Sequence, residues 1–256
     1  MKKFLLSLLA TALLATASFA TPSPAFTAAR KTTHKIVMSA AFEGEVSSCS
    51  ATAIGPHALI TATHCMNQPS VTIEVDGQET DIIQTIGDGL DHTIVYVDAT
   101  YTDYAKMATE APAQGDSIFD IGNPGGFTSM YRTGTVSGYY KEEDPKTPVQ
   151  ILLAPRKTKN DAVRLTFYDF NGFFGDSGSA VFNDKGEIAG IISRIIGGDL
   201  SAGFSIKFMG SYELRFTADQ IEAARTFIPA KLADPVKEEP YKSLLDLLRE
   251  TKGYGK

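Results

Sequence analysis

Beyond Lys35 the chain alternates short apolar runs with Gly, Pro, Asn and Asp, the pattern of strands separated by turns. Residues 71–75 (VTIEV) alternate with period two, the mark of a half-buried strand. Runs of this kind predict strands over 36–41, 50–54, 58–62, 71–75, 82–86 and 93–97. A polar stretch over 102–116 has little periodicity and reads as a linker. A second set of strands is expected over 117–121, 130–139, 149–154, 163–168, 179–182, 187–194 and 203–207. Many short strands joined by turns indicate an all-β barrel or sandwich. The charged run 141–146 (KEEDPK) reads as a solvated loop. After 212 the pattern changes: Thr217 and Gln220 have capping-box spacing, and Ile221, Ala224 and Ile228 share one helical face. A second helix is expected where Leu244, Leu245, Leu247 and Leu248 cluster. No tandem repeat is visible.

Composition narrows the class. Over 256 residues, 43% hydrophobic and 21% charged side chains describe a globular chain with a sizeable core. A net charge of −6 argues against a general nucleic-acid binder, because counterion release needs clustered Lys and Arg. At the start, Lys2 and Lys3 precede an apolar run from Phe4 to Leu14, and Ser18 and Ala20 fit the small-residue pattern of a cleavage site. This reads as a secretory signal peptide over 1–20 rather than an uncleaved anchor, since the run is short for a span of about 20 residues. The mature chain is expected to begin near Thr21, outside the cell or in the periplasm, with no membrane attachment. Residues 21–34 read as a flexible leader. The only two cysteines, Cys49 and Cys65, invite one disulfide in an exported chain, with two buried thiols as the alternative.

Three short motifs stand in order: Thr61-Ala62-Thr63-His64-Cys65, then Asp91-His92-Thr93-Ile94-Val95, then Gly175-Asp176-Ser177-Gly178-Ser179. Singly, each has an ordinary structural reading: a His after a strand, a turn Asp, a tight Gly-rich turn. Together, in an exported β-rich chain, they supply what acyl transfer needs. A neutral hydroxyl is a weak nucleophile and requires an adjacent base. An imidazole can take its proton and later return it, and a carboxylate can hold the imidazole in the required tautomer.

These motifs resemble those of the trypsin-like (chymotrypsin-fold) serine proteases, over about residues 35–210. Cys49 lies fifteen residues before His64 and Cys65 directly follows it, the arrangement of the disulfide that clamps the histidine loop in that family. Ile121-Gly122-Asn123-Pro124-Gly125 and the segment from Ser177 to Ile192 are similar to the high-temperature-requirement branch, although no PDZ-like module follows. The resemblance implies two packed six-stranded antiparallel β-barrels with C-terminal helices. The first would span about 35–105 and the second about 115–212, with a helical extension over 213–256. It implies a secreted serine endopeptidase acting on proteins or peptides, with His64 as base, Asp91 as its orienting carboxylate and Ser177 as nucleophile. Asp88 is the rival for Asp91, and His92 is read as a bystander. The backbone N–H groups of Gly175 and Ser177 would form the oxyanion hole, where one donor is worth roughly 3–4 kcal/mol.

The buried Asp176 of this family pairs with a freed N-terminus in zymogen-activated members. Lys35-Ile36-Val37 imitates an activation site, but Ile36 lies only thirteen residues before Cys49, so it reads as first strand and the partner of Asp176 stays open. The resemblance puts Asn171 at the base of the specificity pocket, Ser193 on its wall and Ile195 where deep pockets keep Gly. Cleavage after small or medium apolar residues is therefore expected; the alternative is that Phe173 and Phe174 reshape the entrance and the register differs by one or two residues. No cofactor is expected, and four scattered histidines form no metal-ligand cluster. A silent homologue acting as a binding module is the alternative. An esterase of another fold is disfavoured, because Gly-x-Ser-x-Gly on a strand-to-helix elbow is missing.

Overall fold

The computed structural model describes residues 22–40, 46–66, 70–141, 163–200 and 204–230. The expected signal peptide, the charged loop after 141, the strand over 149–154 and the second C-terminal helix lie outside the described residues. The first sheet is built from β1 (Thr33–Ala40), β2 (Val46–Gly55), β3 (Ala58–Ala62), β4 (Ser70–Val75), β5 (Gln78–Glu79), β6 (Ile82–Gly87) and β7 (His92–Val97). The second holds β8 (Ser117–Gly122), β9 (Met130–Lys141), β10 (Arg164–Tyr168), β11 (Ala180–Phe182), β12 (Ile188–Ile191), β13 (Arg194–Leu200) and β14 (Phe204–Tyr212).

Both sheets are antiparallel, curled and wired alike. The first runs β5-β4-β1-β2-β3-β7-β6 and the second β12-β11-β8-β9-β10-β14-β13. In each, a three-strand meander is flanked by two hairpins, the Greek-key return that sets a fourth strand beside the first. Among the described residues each sheet carries seven strands rather than six, β5 being only two residues long.

Burial follows the strand period. Along β7, Ile94 and Tyr96 face the core shared by the sheets, while Val95 and Val97 point into the first sheet's own concavity. On the other side Phe119, Ala180 and Phe182 enter the shared core, whereas Ile118 and Val181 fill the second concavity. Every position of β3 and β7 is buried, so these strands read as near-continuous apolar runs with Thr61, His92 and Thr93 the polar positions. The site described below sits where the two sheets meet.

Residues 21–34 are not a flexible leader throughout. Pro24–Thr32 forms α1, started by the Ser23 side chain accepting from Phe26 N–H at 3.1 Å and by Pro24 in the first turn. Ala29 is 2% exposed in the shared core, and the Phe26 ring meets Tyr131 at 4.6 Å. Burial of this apolar face orders a segment too polar overall to announce itself. The helix expected from Thr217 is present as a C-terminal element over Ala218–Thr226, with both halves of the capping box made. It lies so close to β2 that a Cβ on Gly55 would strike the Ala224 carbonyl.

Candidate active site

β3 ends in a single helical turn, Thr63–Met66, that carries His64. The Asp91 carbonyl accepts from Thr63 N–H at 3.0 Å, and its carboxylate accepts from His64 N–H at 3.0 Å. The other carboxylate oxygen lies 2.8 Å from His64 Nδ1. An ionised carboxylate only accepts, so Nδ1 carries the proton and Nε2 of the neutral ring is left as the acceptor. Asp91 is buried while the His64 side chain is 46% exposed. Asp88 is committed elsewhere: its carboxylate holds His92 Nδ1 at 2.7 Å and the Leu90 N–H at 2.8 Å. The sequence rival thus shapes the turn that presents Asp91.

The segment 173–179 packs against this histidine turn. Ser177 C=O accepts from Ser50 N–H at 2.8 Å, and Cys49, next to Ser50, is disulfide-bonded to Cys65, next to His64. A fifteen-residue closure of this kind is worth roughly 3 kcal/mol in the chain-entropy view. Gly178 (φ +84°) has no room for a Cβ, which would meet the Ser50 carbonyl and Thr61 Oγ1. Gly175 (φ +104°) is likewise confined, its Cβ position blocked by the Asn123 carbonyl. Within the loop, Asp176 N–H donates to Phe173 O, Gly178 N–H to Ile192 O and Ser179 N–H to Asp176 O. Among the described residues the N–H groups of Gly175 and Ser177 have no protein acceptor. Nor does a hydrogen bond join Ser177 Oγ to the His64 ring; such bonds in free enzymes are often long and tighten on substrate binding.

Asp176 finds its partner on β9. Arg132 Nη1 and Nη2 donate to its two oxygens at 2.5 and 2.7 Å. The same guanidinium grips Asp120 through Nε and Nη2 at 2.7 and 2.6 Å. Both carboxylates are fully buried. Asp120 and Arg132 face each other in the β8–β9 register, and Gly122 leaves the space the cluster occupies. Ile36, by contrast, is an interior residue of β1 paired with Cys49 and Val75, so it is not a freed terminus. The signal that sequence reading missed was a carboxylate inside the otherwise apolar run of β8.

Burial pushes the Asp120 carboxyl up to about 6, against the pull of Arg132. Between about pH 4 and 6 the folded chain therefore holds a proton that the unfolded chain has lost, and stability falls as pH rises across that window. Asp76 and Asp88 sit below the usual carboxylate range despite partial burial, because His34 and His92 bond them, and they lose their contribution as pH falls. They act equally in wild type and Asp120→Asn. Melting temperatures of the two proteins from pH 4 to 7 should show wild type losing ground to the variant up to about pH 6 and no further above it. Parallel profiles would refute a raised Asp120.

The profile of the trypsin-like peptidase domain matches residues 49–191. The chain belongs to the trypsin-like peptidase family. No curated protein sequence matches it. Among solved structures it is similar to the active form of the Rv3671c protease from M. tuberculosis, with TM-score 0.55 and 17% identity over 78% of this chain and 82% of that one. It is also similar to the HtrA-type protease AlgW with a tripeptide, with TM-score 0.53 and 20% identity over 73% of this chain and 57% of that one. At these identities the likeness is one of fold.

In this trypsin-like peptidase the residues expected around a specificity pocket are partly spent on the fold. Asn171 is exposed, and its carbonyl accepts from Arg132 Nη1 at 3.0 Å. The Ser193 hydroxyl is buried between the Ile191 carbonyl and the Tyr212 N–H, each at 3.3 Å. Ile195 packs on the second sheet's inner cluster opposite Met209, its partner in the β13–β14 register. Met209 was not expected. It is 0% exposed, and its thioether fills the space beside Gly172 where a Cβ would stand. Phe173 and Phe174 stand 55% and 79% exposed.

Proposed function

We propose that this chain is an exported serine endopeptidase that cleaves peptide bonds through an acyl-enzyme on Ser177. What carries the reading is the pairing of His64 with Asp91 through both ring and backbone, beside a loop whose Gly175 and Ser177 N–H groups are unengaged. In the first half-reaction Ser177 Oγ attacks the scissile carbonyl carbon and its proton passes to His64 Nε2. The carbonyl oxygen becomes an oxyanion held by the two N–H groups. Collapse breaks the C–N bond as Nε2–H gives its proton to the departing amine. Water then attacks the ester, losing a proton to Nε2, and the tetrahedral adduct collapses to the acid as the C–Oγ bond breaks and Nε2–H returns its proton to Ser177 Oγ.

Asp91 keeps Nδ1 protonated throughout and stabilises the imidazolium that forms transiently. The disulfide is consistent with an oxidising compartment. Asn171, Ser193 and Ile195 are proposed to border the pocket for the residue before the cleaved bond, with Met209 closing its floor. A floor raised by a thioether leaves room for Ala or Val and excludes long or charged side chains.

A fluorophosphonate probe reacts only with an activated serine. We expect wild-type protein to label at Ser177 and to cut a peptide library after small apolar residues. Absence of labelling would refute the peptidase reading. Dominant cleavage after Arg, Lys or Glu would refute the pocket alone.

A further inference from the structure

Ser50 lies fully buried on β2, and its hydroxyl has three polar neighbours. Gly175 O is at 2.9 Å, Asn123 N at 3.0 Å and Asn123 Nδ2 at 3.0 Å. The first only accepts and the other two only donate, so the assignment is unique. The hydroxyl gives its one proton to Gly175 O and takes both Asn123 donors on its lone pairs. The Asn123 amide is itself oriented, since Oδ1 accepts from Ser129 N–H at 3.0 Å and Nδ2 also reaches the His34 carbonyl at 3.2 Å. Nothing in the group is left over for a substrate.

The cradle fixes the loop that bears the two unengaged N–H groups. In a trans peptide the C=O and N–H point to opposite sides, so holding a carbonyl aims the N–H of the same unit. Phe174 C=O, in the unit that carries Gly175 N–H, accepts from Gly125 N–H at 2.6 Å, on the turn that Asn123 begins. Asp176 C=O, in the unit that carries Ser177 N–H, accepts from Ser179 N–H at 2.9 Å. The unit between them is pinned at Gly175 C=O by Ser50 Oγ. Ser50 belongs to the first sheet and Asn123 directly follows β8 of the second, so the loop is registered against the sheet that carries His64.

We propose that Ser50 and Asn123 are positioning residues for the oxyanion site, their shared hydrogen bonds aiming the Gly175 and Ser177 N–H groups; this rests on the peptidase reading above. Without the Ser50 hydroxyl, Gly175 C=O and Asn123 N–H lose their partner in a dry interior, and the Gly175–Asp176 unit that spaces the two donors is held only by Asp176 N–H on Phe173 O, so their relative aim loosens.

The test compares wild type, Ser50→Ala and Asn123→Ala. Ser50→Ala should lower kcat about 30-fold with KM within about threefold, because a misaimed donor costs the tetrahedral state and not the ground state. Affinity for a peptide boronate, which forms a tetrahedral adduct on serine, should fall by a similar factor, while affinity for the matching cleaved peptide product stays unchanged. Asn123→Ala leaves the bond from Ser50 to Gly175 and should show a smaller loss of the same kind, about fivefold. If Ser50→Ala does not fold, Asn123→Ala carries the comparison. Folded variants with wild-type kcat, or with equal losses of boronate and product affinity, would overturn the positioning role while wild-type labelling still stands. A wild type that does not label would overturn the peptidase reading and this inference with it.

Discussion

Ser177→Ala should abolish fluorophosphonate labelling and lower peptidase turnover by roughly 10^4-fold or more, leaving the melting temperature almost unmoved. The size of the loss follows from the chemistry: without the hydroxyl there is no acyl-enzyme, and only the oxyanion donors and substrate positioning remain to favour attack by water. The smallness of the structural change follows from the contacts. Among the described residues Ser177 ties the loop down through its backbone, whose carbonyl accepts from Ser50, and its hydroxyl is bonded to nothing. Exposed or half-buried substitutions of this kind stay within about 0.5 kcal/mol. Labelling rates and thermal melts of the two proteins settle it. Labelling or turnover near wild type in the variant would move the nucleophile elsewhere.

The second large effect is on stability. Arg132→Leu should destabilise the fold by about 3–5 kcal/mol, the cost of stranding buried charge. A single guanidinium is the counter-charge of two buried carboxylates, Asp120 and Asp176, and removing it leaves Asp120 with the neutral Ser179 hydroxyl and Asp176 with the Phe173 N–H. Against a typical total of about 5–15 kcal/mol, that loss brings the protein close to unfolding at ordinary temperature. Arg132→Lys should recover only part of it, because an ammonium has three donors from one nitrogen and cannot make the two bidentate pairs that the guanidinium makes. The deficit should shrink as pH falls, since stranded carboxylates take up protons readily when buried. Denaturant titrations of all three proteins at pH 7 and 5 test this. A loss under about 1 kcal/mol for Arg132→Leu would show that the cluster is not what neutralises Asp176.

The strand pattern was largely legible because it is local. The buried runs of β3 and β7 report how each strand is covered, the alternation over 71–75 marks β4 as a strand, and a strand needs no distant partner to show such a pattern. The capping box at Thr217 is equally local, its two bonds closing within four residues. The apolar run over 187–194 predicts one strand, but the strand breaks at Ile192 and Ser193. There the backbone turns aside: Ile192 pairs with Ser179 and Gly178, and Ser193 with Gly210. Nothing in the apolar pattern marks that, because Ile192 remains buried. The α1 helix was missed for the complementary reason, since its order comes from Ala29 and Phe26 docking on a core built from both sheets.

By itself the sequence determined the order and spacing of the His, Asp and Ser motifs, the cysteine pair around the histidine turn and the glycines at 175 and 178. Those features are short, and each states a local chemical or conformational need. Only the tertiary structure decided what surrounds them. Arg132 meets Asp176 across 44 residues of chain, Ser50 meets Gly175 across 125, and Met209 comes to rest beside Gly172. Such pairings depend on strand register and on how two similarly wired sheets dock. Shifting a strand by one residue would turn Arg132 to the other face of β9, though its sequence neighbours would be unchanged.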